Sequence, residues 1–456
     1  MMKSVRIGAG QGFYGDSLLP ALDVARYGRV QYISSDTLAE LTLAILQKGR
    51  KKDPDAGYTK DVVPTMKALL PLAREKGIRL VTNAGGINPP GADKAVARVA
   101  RDLGMTGLKI ATVTGDNILH RLDELRAAGA DLHDKDTGAD LSTVRDRLLF
   151  ANVYLGAEPI AEALARGADV VITGRTTDTG QFLGPIQYEF GWGPEDVDLL
   201  ASGILLGHLM ECSGQVSGGN FSGDWWNLPD LDRIGFPVAE VYEDGSFILT
   251  KPEGTGGRVS VETVKQQLLY EIHDPGTYLT PDVIADFSQV KLEQVGPDQV
   301  RVSGARGRKR PPTLKALMGY SDGWMGEGHI SFSWPDAYAK AQRAEDIIRR
   351  RLEIWGVKTQ EVLAEYVGVN QLHGGLAPAP DPELAEVELR MAVRTATREE
   401  AEKVAREFPP LLLSGPPTAS AVAGTPAPRE LLGLWSCLIP RQLIDPQVRV
   451  DVEEVR

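Results

Sequence analysis

Short apolar runs alternate with stretches of helical spacing through the first half of the chain. Residues 5–8 predict a strand. Residues 17–26 follow with apolar positions three and four apart, which predicts a helix. The same alternation places strands at 30–34, 79–82, 108–113 and 168–173, and helices at 38–48, 61–76, 94–103, 116–128 and 145–166. Strands separated by amphipathic helices pair in parallel through right-handed crossovers. The expected fold is α/β, an open, mostly parallel, Rossmann-like sheet with helices on both faces.

The pattern changes near residue 236. A hairpin is expected over 238–250, turning at Glu243-Asp244-Gly245. A helix is expected at 260–272, and adjacent antiparallel strands at 290–293, 300–303 and 313–320. A long charged helix at 337–355, an alternating strand at 386–394 and a helix at 398–408 follow. This reads as an α+β domain with antiparallel strands. The expected division is a first domain at 1–235 and a second at 236–456, the latter ending in a Pro/Gly-rich tail. Pro and Gly crowd 374–382 and 414–428, which predicts surface loops.

Length agrees with this division, since 456 residues exceed one ordinary core. Acidic residues outnumber basic ones by 62 to 50, which argues against a nucleic-acid partner. The one dense basic run, Arg306, Arg308, Lys309 and Arg310, reads as a solvated turn. Two cysteines, Cys212 and Cys437, cannot build a disulfide framework, which fits a reducing compartment. The first residues carry no export signal, and the apolar stretch 199–210 is too short to span a bilayer. A soluble, cytoplasmic protein without a membrane partner is expected.

Candidate chemistry gathers at the carboxyl ends of the predicted strands, where open α/β sheets bind ligands. Gly10, Gly12 and Gly15 satisfy G-x-G-x-x-G after a strand, and Asp36 follows near the end of the second strand. That imitates a dinucleotide fingerprint. Phe13 and Tyr14 are bulky where a pyrophosphate needs close approach, and Asp16 suits a helix N-cap better than a neighbour to an anion. Gln11 and Tyr14 in this loop are candidate substrate contacts, as are Asn83 and Gly85 at the third strand end and Arg175 and Thr177 at the fifth. Arg175 could grip a substrate carboxylate or pair internally with Asp178. Asp36, Asp116 and Asp178 are candidate general acids or bases, although helix capping explains each singly.

His208, Glu211 and Cys212 share one helix face. His208 is a candidate catalytic residue, with a buried core histidine as the plainer alternative. A metal would need ligands from elsewhere, so none is assigned, and the cofactor is left open. Asn220 lies in a polar loop able to close over a ligand. Gly254, Thr255 and Gly256 in Lys251-Pro-Glu-Gly-Thr-Gly-Gly257 precede a helix. They could cradle a carboxylate or a CoA phosphate, or simply join two domains. Asp322–His329 reads as a glycine-rich hairpin tip. No G-x-S-x-G elbow occurs, which disfavours a hydrolase triad.

The runs GAGQGFYGD, ITGRTTD, KPEGTGG and KQQLLYEIHDP, with the stretch ending near Ile439-Pro440-Arg441, together resemble the acyclic terpene utilisation (AtuA) family over nearly the whole chain. The family takes its name from a bacterial gene cluster that degrades citronellol and geraniol through acyl-CoA intermediates. The resemblance implies a catabolic protein but transfers no catalytic residue. Relatives often carry or accompany a small ferredoxin-like-fold module. This chain ends soon after Arg441, so such a module is expected as a separate partner or not at all. The leading expectation is a homo-oligomeric enzyme of lyase, hydratase or isomerase type, acting on a small carboxylate or acyl-CoA in isoprenoid or branched-chain acid breakdown. The alternatives are a nucleotide-dependent enzyme using Gly10–Gly15 and a non-catalytic subunit.

Overall fold

A computed structural model describes residues 2–381, 383–421 and 426–456. The chain divides into two compact units. The first takes residues 1–143, 149–318 and 435–456, and the second takes 144–148 and 319–434. The break therefore does not fall at 235/236, because strands after that point complete the first sheet.

That sheet has ten strands, in the order Lys291–Gly296, Gln299–Ser303, Phe247–Thr250, Val238–Tyr242, Ser4–Ala9, Tyr32–Ser35, Arg79–Thr82, Val170–Thr173, Lys109–Thr114 and Arg449–Glu454. The five strands from Ser4–Ala9 to Lys109–Thr114 run parallel. The hairpin of Val238–Tyr242 and Phe247–Thr250 adds antiparallel to the free edge of Ser4–Ala9. Gln299–Ser303 and Lys291–Gly296 extend that side, and Arg449–Glu454 pairs antiparallel with Lys109–Thr114. The sheet is thus mixed rather than mostly parallel. An edge strand offers unpaired N–H and C=O groups, and late segments of the chain satisfy them at both edges.

Every position of Tyr32–Ser35 and Val170–Thr173 is buried, so both faces of the sheet are covered there. Helices Leu18–Tyr27, Val62–Lys76 and Pro89–Asp102 pack on one another in series, and so do Glu158–Ala165, Gly180–Phe190 and Val197–Met210. Among the described residues, no helix is long and apolar enough to cross a membrane.

Several elements depart from the sequence pattern. The stretch 145–166 is not one helix but a 3-10 turn at Arg145–Arg147, a strand at Leu148–Val153 and a helix at Glu158–Ala165. A short, largely apolar run fits either period, and tertiary burial decided it. The helical pattern at 116–128 holds only for Leu119–Arg121 and Leu122–Ala127.

Thr313–Ser333 runs on as a single strand of 21 residues, in the second unit from residue 319, and is paired along most of its later length with Glu386–Thr395. It lies in a different sheet from Lys291–Gly296, and Asp322–His329 is no hairpin tip. Glycines kept it extended against its cover. A Cβ at Gly326 would stand 2.1 Å from the Ala401 carbonyl, and one at Gly328 would stand 2.1 Å from the Phe408 ring. Thr359–Val367 pairs on the other side of Glu386–Thr395. Helix Ala337–Ile354 closes this core through Ala341, Ala344, Ile348 and Leu352. A twelve-residue strand, Arg429–Pro440, follows the Pro/Gly-rich stretch 414–428. Pro382 and residues 422–425 of the two expected loops lie outside the described residues.

Gly85 shows how closely the strand ends meet. A Cβ there would stand 2.5 Å from the Thr173 carbonyl and 2.9 Å from Pro89 Cα. Backbone cannot yield as a flexible side chain would. Gly85→Ala is expected to lower the unfolding free energy by about 1–3 kcal/mol in urea titrations. A loss below about 0.5 kcal/mol would show that the strand ends part freely.

Candidate functional site

Three carboxylates from distant segments converge in the first unit. Asp36 follows the strand Tyr32–Ser35, Asp178 follows Val170–Thr173, and Glu211 caps the C-terminus of helix Val197–Met210. One oxygen of each lies within 4.8 Å of the others. Gly12 makes this possible. A Cβ on it would stand 2.8 Å from the Glu211 carbonyl and 2.9 Å from Ser213 N, so only a glycine loop lets this helix end reach the strand ends.

Asp36 is buried. Its Oδ1 accepts from Leu38 N at 3.1 Å and from Asn83 Nδ2 at 2.5 Å. Asn83 in turn accepts from Thr37 N and Thr37 Oγ1. Burial, and then the charge of Asp178, push the Asp36 carboxyl well above its usual range. Burial pushes Glu211 up likewise, reinforced by Asp178 and Glu271. The counter-charge is Arg175, whose side chain is 1% exposed. It donates from one terminal nitrogen to Asp178 Oδ1 at 2.5 Å and from the other to the Leu38 carbonyl. Its guanidinium lies 4.2 Å from the centre of the Tyr154 ring, whose hydroxyl donates to Glu40 Oε1 at 2.8 Å. Lys315 stands over the same ring and 3.7 Å from Glu40.

His208 is buried beside Glu211, with Nδ1 at 3.3 Å from Oε1. Burial lowers its pKa, so it is neutral at ordinary pH. The rings of Tyr278 and Phe287 flank it. Among the described residues, Glu211 Oε2, His208 Nε2 and Arg175 Nε are enclosed without a hydrogen-bond partner.

A family model, the acyclic terpene utilisation family protein AtuA, matches residues 5–450. The chain belongs to this family. Comparison with curated proteins and with solved structures returned no match. Membership ties this chain to acyclic terpene utilisation. A buried guanidinium among carboxyls that hold their protons can bind an anionic group and move a proton beside it.

The other expected site residues of the AtuA chain separate from this cluster. Asp116 is a brace: its Oδ2 accepts from Arg175 N at 2.8 Å and from Asn152 Nδ2 at 2.7 Å. Burial raises its pKa to about 6. Gln11 turns inward to donate to Asp61 and accept from Thr65. Gly10 is a packing glycine, since a Cβ would stand 2.0 Å from Ser35 Oγ. Tyr14 is half-buried. Thr177 is half-buried, with Oγ1 at 3.4 Å from Thr179 Oγ1. Asn220 is exposed and donates to Gln215.

Two glycine loops do not present the amides expected of them. In the first, Gly10 N donates to Ser34 O, Gln11 N to Ser35 Oγ, Gly12 N to Asp16 Oδ2 and Gly15 N to Asp61 Oδ2. Asp16 therefore closes the loop and does not cap the following helix, whose N-cap is Ser17. A phosphate would have to displace these acceptors, which removes the ground for a nucleotide there. In the second loop, Thr255 N donates to Pro252 O, Gly256 N to Arg233 O and Gly257 N to Pro229 O. Lys251 Nζ bonds the Thr255 carbonyl, and a Cβ at Gly256 would stand 1.8 Å from Asp230 O. Gly254, Thr255 and Gly256 thus form a tight turn and no anion cradle.

Sequence reasoning missed Glu211 and Tyr154 as site residues. The one signal for Glu211 was its i+3 spacing from His208, which shows a shared helix face but not what that face meets.

Proposed function

We propose that this protein is an enzyme of isoprenoid or branched-chain acid breakdown that moves a proton on a small acid or acyl-CoA, as a hydratase, lyase or isomerase does. The carrying observation is the Asp36–Asp178–Glu211 cluster around Arg175. Carboxyl groups whose environments differ this much can divide acid and base roles at one pH. Asp36 and Glu211, buried, keep their protons and serve as acids. Asp178, with its side chain 40% exposed, is the group a substrate reaches first, and Arg175 holds it in place.

A cavity of about 590 Å³ supports the acyl-CoA form of the reading. Arg50, Lys51 and His120 line it, together with Pro89 and Pro90 at the start of helix Pro89–Asp102. Cationic side chains suit a phosphate, although the helix start adds no free amide, since Pro89 and Pro90 have none and Gly91 N and Ala92 N bond Asn88. Asp36, Asp178 and Glu211 do not line it, but Asp116 does, and Asp116 bonds the backbone of Arg175. Glu40 and Arg50 lie ten positions apart on helix Glu40–Lys52, about 15 Å along its axis. A ligand touching both ends must be long, as an acyl-CoA is.

The purified protein is to be incubated with a panel of branched, unsaturated acyl-CoAs, the matching free acids and their hydroxy derivatives, and the products weighed by mass spectrometry. Turnover of thioesters is expected, with Arg50→Ala raising KM for thioesters more than for free acids. Failure across the panel, with or without a small protein co-purified from the native host, would overturn the reading.

A further inference from the structure

We propose that Asp36, Asp178 and Glu211 bind a hard divalent cation of the Mg²⁺ or Mn²⁺ class. Geometry comes first. The three residues offer oxygens that all lie within 4.8 Å of one another. About 2.1 Å is usual for Mg²⁺–oxygen bonds, and slightly longer bonds suit larger cations, so oxygens on opposite sides of one ion stand a little over 4 Å apart. The cluster therefore closes on an ion with small side-chain shifts.

A second observation is independent of the count of acids. Glu211 is 7% exposed, yet its Oε2 is enclosed without a hydrogen-bond donor. Its other oxygen has only the neutral His208 ring, at 3.3 Å. A buried carboxylate oxygen in that state requires a proton or a cation. Bound as carboxylates, the three acids would set three negative charges against the single guanidinium of Arg175, and one divalent ion would balance the other two, the protons of Asp36 and Glu211 leaving as it binds. Arg175 does not compete for the position. It approaches Asp178 through Oδ1 and is otherwise turned to the Leu38 carbonyl and the face of Tyr154.

Ligand chemistry selects the ion. Donors that are all carboxylate oxygens favour Mg²⁺ and Mn²⁺ over Zn²⁺ or copper, which draw on imidazole and thiolate. Cys212 and His208 are near neighbours in sequence but are not members of the converging group, and His208 Nδ1 faces Glu211. Three protein ligands leave positions for water or a substrate oxygen, and the partly exposed side of Asp178 gives the route in. Joined to the function proposed above, an ion there would polarise a substrate carbonyl. The binding site itself does not depend on that function.

The test uses no substrate. The full chain is stripped with EDTA, dialysed and titrated with Mn²⁺, and free Mn²⁺ is followed by its paramagnetic resonance signal. One ion per chain is expected, displaced by excess Mg²⁺. Asp36→Asn and Glu211→Gln are each expected to weaken binding by at least about tenfold. Asp178→Asn, at the exposed edge, gives the same readout should the buried variants fail to fold. Asp282→Asn, a half-buried carboxylate outside the cluster, is expected to leave binding unchanged. No Mn²⁺ bound by the wild type, or binding undiminished in all three cluster variants, would show that protons alone hold the cluster together.

Discussion

Arg175→Met is expected to lower the unfolding free energy by about 2–4 kcal/mol at neutral pH, less than for a fully buried ion pair because the Asp178 side chain is 40% exposed to solvent. The substitution keeps most of the side-chain volume but removes every polar contact. Asp178 loses its partner at 2.5 Å, the Leu38 carbonyl loses a buried donor, and Tyr154 loses the nearer of the two cations on its ring. Asp36 and Glu211 lose the one positive charge that opposes their burial. Arg175→Lys is expected to recover only part of the loss. An ammonium cannot span Asp178 and Leu38 as a planar fork does. Urea unfolding of the three proteins measures this, and a loss under about 1 kcal/mol for the methionine variant would mean that Arg175 is not the keystone of the cluster.

Asp36→Asn is expected to split activity from stability. Loss of a positioned acid lowers turnover by about 10²–10⁴-fold. Stability should move the other way at high pH. The Asp36 carboxyl is raised in the folded chain, so the folded state holds a proton that the unfolded chain has released. The resulting stability is fully present below the ordinary carboxylate pKa and is lost as pH rises through the raised value. Asparagine cannot ionise, and its carbonyl can still accept from Leu38 N and Asn83 Nδ2. The groups facing Asp36 are Asp178, Arg175, Asn83 and Glu211, and Glu211 titrates in the same direction. The variant should therefore retain part of the slope, from Glu211. Melting temperatures with EDTA present, from about pH 5 to about pH 9, should fall more steeply for the wild type than for the variant. Parallel curves would mean that Asp36 carries no raised pKa.

Most elements of the first half were legible because their patterns are local. Arg79–Thr82 is bounded as expected, and the hairpin turns at Gly245, whose φ of 83° needs glycine. Asp36, Asn83 and Arg175 could be nominated as polar residues just past apolar strands. Glu211 could not, because its place depends on a helix end resting on Gly12, a contact across about two hundred positions.

The glycine loops mark the other limit. Their sequences offer amides, but whether an amide is free depends on acceptors brought from far along the chain. Asp61 and Pro229 supplied some of these. By itself the sequence determined the family, the parallel centre of the first sheet and the acids that end its strands, since apolar period and motif are written locally. Only the tertiary structure decided which of those acids share one charge-bearing cluster, because burial and proximity belong to the folded chain. It also decided that the last strand, Arg449–Glu454, closes an edge of the first sheet, because pairing there depends on which edge is left open.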